Sequence, residues 1–514
     1  MDDNKNPAQN QTDSEHPIPL YDAATPPSDS TPVETPITAT VEPATTASDM
    51  QVEQTPDDVV LEAVGDGQPF VPVVESSGGD NRMKYVVIGG AIIFFILIFI
   101  LLLWILFGRS AGTKARSATL IYWGLWEDAD VMQPILDDFE KANPTIKVEY
   151  QKMDPKDSYL QKIIARQQGG PDIFRFHNTW VPQMKEVLSP MPSSVMNTAT
   201  FEETFYPIHT KDLKVGNALV GMPLMTDGLV LIYNDALLRK AGKTSPPATL
   251  IDTVAYAGDL TIKDTTTGTI VLSTIALGTS ENIEHFSDIF GLFLTLNGAR
   301  LTNLDSPEAA GALEEYRRFA EEPDATWNEA MPNSVSAFIQ EKVAMIIAPS
   351  WELATIRAQN PELEVKTAPV PGLPGAAKPL SLSSYWVEGV SRYSKFQPEA
   401  WKLLQYMSSA EVMQKTFELQ KKSRFFATAY SRRDLGDKLL SDPFYGAVLL
   451  QAKNDGYITL PMVTRTYDQG LNDEIVSYLE QAVTQSANGV DYARAMKTAQ
   501  SGVSQVLNKY NISE

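Results

Sequence analysis

The chain has 514 residues, which is too long for one ordinary hydrophobic core and predicts several units of roughly 100–200 residues each. Its formal net charge of −22 argues against nucleic-acid binding, because a nucleic-acid-binding surface is basic. Cysteine is absent, which excludes disulfides, thiolate metal sites, a cysteine nucleophile and lipid attachment to a thiol.

The first 84 residues differ in composition from the rest of the chain. They contain 16 Asp and Glu against only Lys5, Arg82 and Lys84, so their net charge is 3 − 16 = −13. They also hold 11 of the 34 prolines and show no sustained apolar periodicity. Such a composition buries too little apolar surface to offset the entropy of ordering, so we predict a disordered acidic tail over 1–84.

Residues 85–107 form an uncharged apolar stretch of 23 residues, YVVIGGAIIFFILIFILLLWILF. As a helix they would extend about 34 Å, enough to cross the hydrocarbon core of a bilayer. Tyr85 and Trp104 lie near its ends, where interfacial aromatic residues are favoured. The stretch is too long, and too far from the N-terminus, for a cleaved signal peptide. We predict one permanent transmembrane helix, followed by a polar linker over 108–117.

Flanking charge alone does not orient this helix. Arg82 and Lys84 precede it, and Arg109, Lys114 and Arg116 follow it, a small excess that favours a cytoplasmic C-terminal side. The role of the C-terminal part must therefore decide the orientation.

The part from residue 118 onward begins as an alternating α/β pattern. Residues 118–123 read as a buried strand, Val131, Ile135, Leu136 and Phe139 mark one apolar helical face, and 146–150 alternate as a strand should. A second helix around 159–164 and a third strand at 173–176 follow. This order predicts a parallel sheet with covering helices, whose ligand site lies beyond the strand C-termini.

Aromatic and polar residues follow the first and third of these strands. Trp126 and Glu127 come after strand one, and Asn178 and Trp180 come after strand three. A sugar ring stacks its apolar faces on aromatic side chains and needs hydrogen-bonding groups around its rim. These residues therefore suit a carbohydrate site, whereas Trp123 is as well explained by the core.

One segment carries a family resemblance. Residues 221–235, GMPLMTDGLVLIYND, resemble the signature of family 1 extracellular solute-binding proteins, the sugar-binding components of ABC importers. Met225 departs from the pattern, since a small or polar residue is usual there. Further segments resemble the family in the same order: 119–127, 139–150, 169–180, 338–353, 368–375 and 396–409. The resemblance covers about 118–510, with Glu341-Lys342 in place of the usual Gly-Lys.

The resemblance implies a bilobed periplasmic-binding-protein-like fold of type II, two α/β lobes with a hinge. Lobe 1 would comprise 118–225 and 362–412, and lobe 2 would comprise 226–361 and 413–514. Solute would bind between the lobes, and hinge rotation would close them over it. The matched positions imply these substrate-binding residues: Trp126, Glu127, Asn178, Trp180, Thr226, Asp227, Trp351, Tyr385 and Trp386.

Each position also has a structural explanation. Asp227 could cap a turn, Trp386 could pack against a helix at 397–407, and Arg424 is either a further donor or solvated surface. Tyr233 and Asn234 are better explained by packing and capping inside lobe 2. Residues 264–268, DTTTG, read as a hairpin turn rather than a calcium loop.

We therefore expect a membrane-anchored extracellular receptor that captures a mono- or oligosaccharide and delivers it to ABC permease subunits. No enzyme motif, cofactor or metal site is expected, and nucleic acid is not a partner. Because such a receptor must face outward, we place the N-terminus in the cytoplasm against the small charge excess. The alternatives are a membrane-tethered solute sensor with a cytoplasmic tail and a carbohydrate-active enzyme.

Overall fold

The structure is a computed structural model that describes residues 93–100, 117–154, 158–166, 169–376, 378, 380–424, 426–460 and 463–512. The predicted acidic tail, 1–84, lies outside the described residues, as does most of the predicted linker. Of the predicted transmembrane stretch, residues 93–100 are described and helical. No helix among the described residues has both the length and the apolarity to cross a membrane. The span over 85–107 stays a prediction.

From residue 117 onward, strands and helices alternate along the chain. The strands are β1 Ala118–Gly124, β2 Ile146–Lys152, β3 Ile173–His177, β4 Lys214–Val215, β5 Ala218–Leu219, β6 Leu229–Asn234, β7 Ile262–Lys263, β8 Ile270–Ile275, β9 Val343–Pro349, β10 Val365–Ala368, β11 Ser381–Leu382, β12 Trp386–Val390 and β13 Tyr457–Ile458. The α-helices are α1 Ala129–Ala142, α2 Tyr159–Ala165, α3 Val181–Met184, α4 Thr198–Thr204, α5 Pro207–Leu213, α6 Asp235–Lys240, α7 Leu250–Leu260, α8 Phe286–Leu296, α9 Pro307–Arg317, α10 Ser334–Ile339, α11 Glu352–Gln359, α12 Gln397–Met407, α13 Ala410–Arg424, α14 Arg433–Gly436, α15 Gly446–Lys453, α16 Leu471–Ala487 and α17 Tyr492–Lys509.

The first sheet has the strand order β12-β3-β1-β2. β1 pairs in parallel with both β2 and β3, which confirms the predicted parallel arrangement, and β12 joins the edge antiparallel to β3. Helix α1 buries Val131, Ile135, Leu136 and Phe139, the apolar face that the sequence predicts. The C-terminal ends of β1 and β3 therefore open at one edge of this sheet.

The second sheet has the strand order β10-β6-β9-β8-β7. Its central strands β6 and β9 are buried at every residue, as expected for near-continuous apolar runs covered on both faces. At its edge, the predicted hairpin turn after β7 is present, since the Asp264 carboxylate accepts the backbone N–H groups of Thr266 and Thr267. The two sheets form the cores of the two lobes.

Two of the expected lobe limits differ from these pairings. Strand β10 pairs with β6 in the second sheet, although 362–412 was expected in lobe 1. Helix α13 lies against α1, with Lys415 of α13 bound to Asp138 at 2.6 Å, although 413–424 was expected in lobe 2. Both differences arise from pairing partners distant in sequence, which local patterns do not reveal.

Candidate functional site

Three chain segments pass between the lobes side by side. In the first, Met222 forms a bridge with Glu388 of β12, and β6 begins seven residues later in the other sheet. The second leads from β11 into β12, and Gly228 bridges to Ser383 there. The third follows α13, and the Ala429 carbonyl accepts the Thr226 backbone N–H at 3.0 Å. The candidate site residues lie on these segments and on the adjoining strand ends.

Trp386 is the centre of an aromatic cluster in lobe 1. Its ring centroid lies 5.7 Å from that of Trp126, 5.2 Å from that of Trp180 and 5.1 Å from that of His177, in edge-to-face arrangements. Trp126 and Trp386 are partly exposed, whereas Trp180 is fully buried and its indole N–H donates to Thr466 at 2.8 Å. The cluster presents two tryptophans at the surface and uses the third as their support.

Glu127 is part of a buried ion cluster. One of its oxygens pairs with Arg175, and the other accepts from Gln420 at 3.0 Å and Arg424 at 3.3 Å. Arg175 also pairs with Glu388 at 2.6 Å. Glu127 is only 1% exposed, and these partners satisfy the hydrogen-bonding capacity of its carboxylate within lobe 1. Glu127, which the resemblance implies as a substrate-binding residue, thus holds Arg175 and Arg424 in place.

The positive charges determine the ionisation of Glu127. Burial alone would raise the pKa of Glu127, but Arg175 and Arg424 outweigh burial and bring that pKa down to about 2. Burial raises the pKa of Glu388, and Arg175 offsets only part of this effect. Glu127 is therefore the more firmly ionised of the two carboxylates that share Arg175.

Asn178 and Tyr385 meet at Asp212, which the sequence alone does not single out. The Asp212 carboxylate accepts from the Asn178 amide at 3.0 Å and from the Tyr385 hydroxyl at 2.7 Å. Burial raises the pKa of Asp212 to about 6, although hydrogen bonds from Thr459, Tyr385 and Asn178 oppose the rise. This group joins the end of β3 to the second crossing segment.

Asp227 connects the crossing segments to lobe 2. Its carboxylate accepts the backbone N–H groups of Gly228 at 2.7 Å, Ser350 at 2.9 Å and Trp351 at 3.2 Å, and its carbonyl accepts from Ser384 at 3.1 Å. Burial raises the pKa of Asp227 to about 6 despite these bonds. The geometry is that of a cap on the turn before α11. The neighbouring Thr226 is fully buried.

Trp351 is partly exposed at the start of α11. Its ring lies edge-to-face with that of His285, with centroids 5.5 Å apart. Among the expected site residues, the partly exposed ones are thus Trp126 and Trp386 of lobe 1 and Trp351 of lobe 2. The remaining ones are buried supports: Glu127, Asn178, Trp180, Thr226, Asp227 and Tyr385.

Sequence reasoning missed several supporting residues. Arg175 and Glu388 each lie between apolar neighbours in a buried strand, IFRFH and WVEGV, and a charge in a buried strand is a usable indication of a pair. Asp212 and His285 carry no comparable local pattern. Within the described part of the chain, no three His, Asp or Glu side chains are grouped so as to hold a metal ion.

Comparison with known protein families gives a direct result. The model of the bacterial extracellular solute-binding protein family matches residues 135–432, more than half of the chain. The chain belongs to this family. Its members are solute-binding proteins, so the prediction of a binding protein rather than an enzyme is confirmed by membership.

Curated relatives of this solute-binding protein include a probable ABC transporter-binding protein and a multiple sugar-binding protein. It is 22% identical over 316 residues to a probable ABC transporter-binding protein of Deinococcus radiodurans, a match that covers 57% of this chain and 72% of the relative. It is 23% identical over 350 residues to a multiple sugar-binding protein of Streptococcus mutans, which covers 60% of this chain and 76% of the relative.

Solved structures confirm the two-lobed α/β fold of the solute-binding protein. A cyclo/maltodextrin-binding protein complexed with maltotetraose has a TM-score of 0.62 at 18% identity, covering 77% of this chain and 98% of that one. A sugar-binding protein of Xanthomonas citri has a TM-score of 0.62 at 20% identity, covering 76% and 98%. A Thermotoga lettingae protein bound with alpha-D-tagatose has a TM-score of 0.58 at 24% identity, covering 76% and 100%.

Proposed function

We propose that this solute-binding protein captures a mono- or oligosaccharide between its lobes and delivers it to the permease of an ABC importer. The names of its relatives support this class of solute, since one is a multiple sugar-binding protein and two similar structures hold saccharides. The observation that carries the proposal is the placement of partly exposed tryptophans on both sides of the crossing segments.

The tryptophans of the two lobes are linked through a single residue. The Asp227 carboxylate accepts the backbone N–H of Trp351 in lobe 2. The Asp227 backbone carbonyl accepts the backbone N–H of Ser384, two residues before Trp386 in lobe 1. Indole rings on both sides can stack on the two apolar faces of a sugar ring. Closure of the lobes would then remove water from the sugar hydroxyls and strengthen their hydrogen bonds.

The polar residues around the tryptophans fit a supporting role. Glu127, Asn178, Asp227 and Tyr385 hold their neighbours through hydrogen bonds that are already satisfied inside the protein. We place the direct sugar contacts at Trp126, Trp351 and Trp386. A rigid supporting layer keeps such rings in one orientation and so reduces the entropy cost of binding.

A saccharide panel tests this proposal. A bound sugar raises the melting temperature, because the ligand stabilises the native state in proportion to ln(1 + [L]/Kd). Trp386→Ala and Trp351→Ala should each weaken sugar affinity by about tenfold or more, as for loss of a stacking ring. Tyr393→Ala, at an exposed aromatic residue 38% accessible, is the matched control. Release of cleaved products would instead indicate an enzyme, and unchanged affinity in both tryptophan variants would place the site elsewhere.

Anchoring by residues 85–107 completes the proposal. The stretch is long enough to span a bilayer, and the chain has no cysteine that could carry a lipid instead. We place the N-terminus in the cytoplasm and the lobes outside. Deletion of 85–107 should move the protein from the membrane fraction to the soluble fraction. A tag at Glu514 should be cleaved by protease in intact cells and a tag at Asp3 should not; a protected C-terminal tag would contradict this orientation.

A further inference from the structure

Trp351 is held from two directions in lobe 2. Its backbone N–H donates to the Asp227 carboxylate at 3.2 Å, and this bond fixes the position of Trp351 directly before the first residue of helix α11. Its ring contacts the ring of His285 edge-to-face, at 5.5 Å between centroids and 86° between planes. The backbone hydrogen bond fixes the position of Trp351. The contact with the His285 ring restricts the orientation of the indole ring.

His285 is itself held by a buried carboxylate. Its Nε2 lies 3.0 Å from an oxygen of Glu352, whose side chain is 5% exposed in the first turn of α11. The imidazole ring therefore bridges the loop before α8 and the first turn of α11. Because Trp351 and Glu352 are adjacent in sequence, one imidazole contacts both and restricts the turn that carries the tryptophan.

The charged groups around His285 favour its protonated form. Burial opposes protonation, but Glu352, Asp288 and Glu284 together raise the pKa of His285 above its ordinary value. Burial raises the pKa of Asp288 to about 6, while Thr464, His285 and Arg465 oppose that rise. A protonated imidazole keeps its ion pair with Glu352 and interacts more strongly with the π-electrons of the indole.

We propose that His285 is a positioning residue that sets the ring orientation of Trp351 and thereby the affinity for the solute. This proposal rests on the proposed function for its effect on affinity, while the contact between the two rings stands independently. As the pH rises past the raised pKa of His285, the ion pair with Glu352 is lost, Trp351 is less restrained, and affinity falls.

Fluorine NMR of the full chain in detergent, labelled with 5-fluorotryptophan, tests the contact directly. The Trp351 resonance is assigned by its absence in Trp351→Phe. In the unmodified protein without solute, its chemical shift should titrate with the ionisation of His285, above pH 6.5. The titration should be absent in His285→Gln and should move to lower pH in Glu352→Gln. A Trp351 shift that does not change over this range would overturn the proposal.

Affinity for the saccharide selected from the panel provides the second measurement. His285→Gln should weaken binding at pH 6 by about three- to tenfold and remove the loss of affinity above pH 6.5, in line with the strength of one aromatic pair. His16→Gln, the same substitution in the N-terminal segment, is the matched control and should retain that pH dependence. Equal affinities and pH profiles for His285→Gln and the control would overturn the proposal. If no saccharide binds the unmodified protein, the proposed function fails, whereas the NMR titration still decides the ring contact.

Discussion

Arg175 is the residue on which the polar interior of lobe 1 depends. It is 3% exposed and lies between the carboxylates of Glu127 and Glu388. A buried charge costs several kcal/mol in lost hydration, which only close pairing repays. The cluster is neutral when Arg424 is counted with the other three, so each charge is compensated within one group of contacts.

Removing the shared cation should therefore be costly. Arg175→Met leaves two buried carboxylates facing each other, and we expect the free energy of unfolding to fall by about 3–5 kcal/mol. Urea denaturation followed by circular dichroism measures this change. The control is Arg239→Met at an arginine whose side chain is 53% exposed, where about 0–1 kcal/mol is expected. Similar losses for both variants would contradict a special role for Arg175.

Asp227 gives the folded state a defined pH dependence. Its pKa is raised to about 6 by burial, so between about pH 4 and pH 6 the native state binds more protons than the unfolded state. Stability therefore falls as the pH rises through this range, by about 3 kcal/mol for a shift of about two pKa units. The stability of the unmodified protein relative to Asp227→Asn should decrease by this amount from pH 4 to pH 7.

Urea denaturation at each pH measures that difference. Asp305→Asn, the same substitution at an exposed aspartate, is the matched control for effects of lost charge elsewhere on the surface. A difference between the unmodified protein and Asp227→Asn that stays constant from pH 4 to pH 7 would contradict a buried, raised Asp227.

At the level of elements, local sequence patterns predict the strands whose bounds depend on short-range features. The first three strands were expected within about two residues of their observed ends, because apolar alternation and its stop residues are short-range features. No local sequence pattern assigns strand β10 to lobe 2. It joins lobe 2 through pairing with β6, more than 100 residues earlier in the chain, and only the fold shows this.

The crossing segments pack closely enough to require glycine at one position. A Cβ at Gly228 would clash with the carbonyl oxygen of Leu382 and lie 2.5 Å from the Tyr457 ring. Gly228→Ala should cost about 1–3 kcal/mol of unfolding free energy, as expected for overpacking. Gly258→Ala in helix α7 meets nothing within 4 Å and should instead stabilise by about 0.5–1 kcal/mol. Thermal or urea unfolding of both variants measures the opposite signs; stabilisation by both would contradict the close packing.

At the scale of the whole molecule, the sequence predicts which residues converge but not which of them stay exposed. Trp126 follows β1, Trp180 follows β3, and Trp386 begins β12, which runs antiparallel to β3, so the three tryptophans meet at one edge of the sheet. Trp180 is nevertheless buried, because Thr466 of lobe 2, 286 residues away in the sequence, lies against it and accepts its indole N–H. Burial of this kind depends on how the two lobes meet, and no local pattern encodes that.

The contact between Trp180 and Thr466 belongs to a hydrogen-bond cluster that joins the lobes directly. Asn472 of α16 donates to Thr179 at 2.8 Å and to Thr466 at 3.1 Å, and Trp180 donates to the same Thr466 hydroxyl. These side chains are buried, so their hydrogen bonds are made without competition from water. Thr466 accepts from both lobes and is the central acceptor of this cluster.

Thr466→Val should therefore shift the protein toward an open arrangement of its lobes. The substitution keeps the side-chain volume and removes the acceptor of the Trp180 indole N–H, which is buried without a partner while the lobes are in contact and is solvated once they separate. At about 1 kcal/mol or more for the lost pairing, the ratio of open to closed molecules should rise at least about fivefold. Because the chain has no cysteine, spin labels at Lys141→Cys and Ala493→Cys report the interlobe distance by pulsed electron paramagnetic resonance. The same substitution at exposed Thr498 should leave the distance distribution unchanged. If Thr466→Val also leaves it unchanged, the cluster does not hold the lobes together.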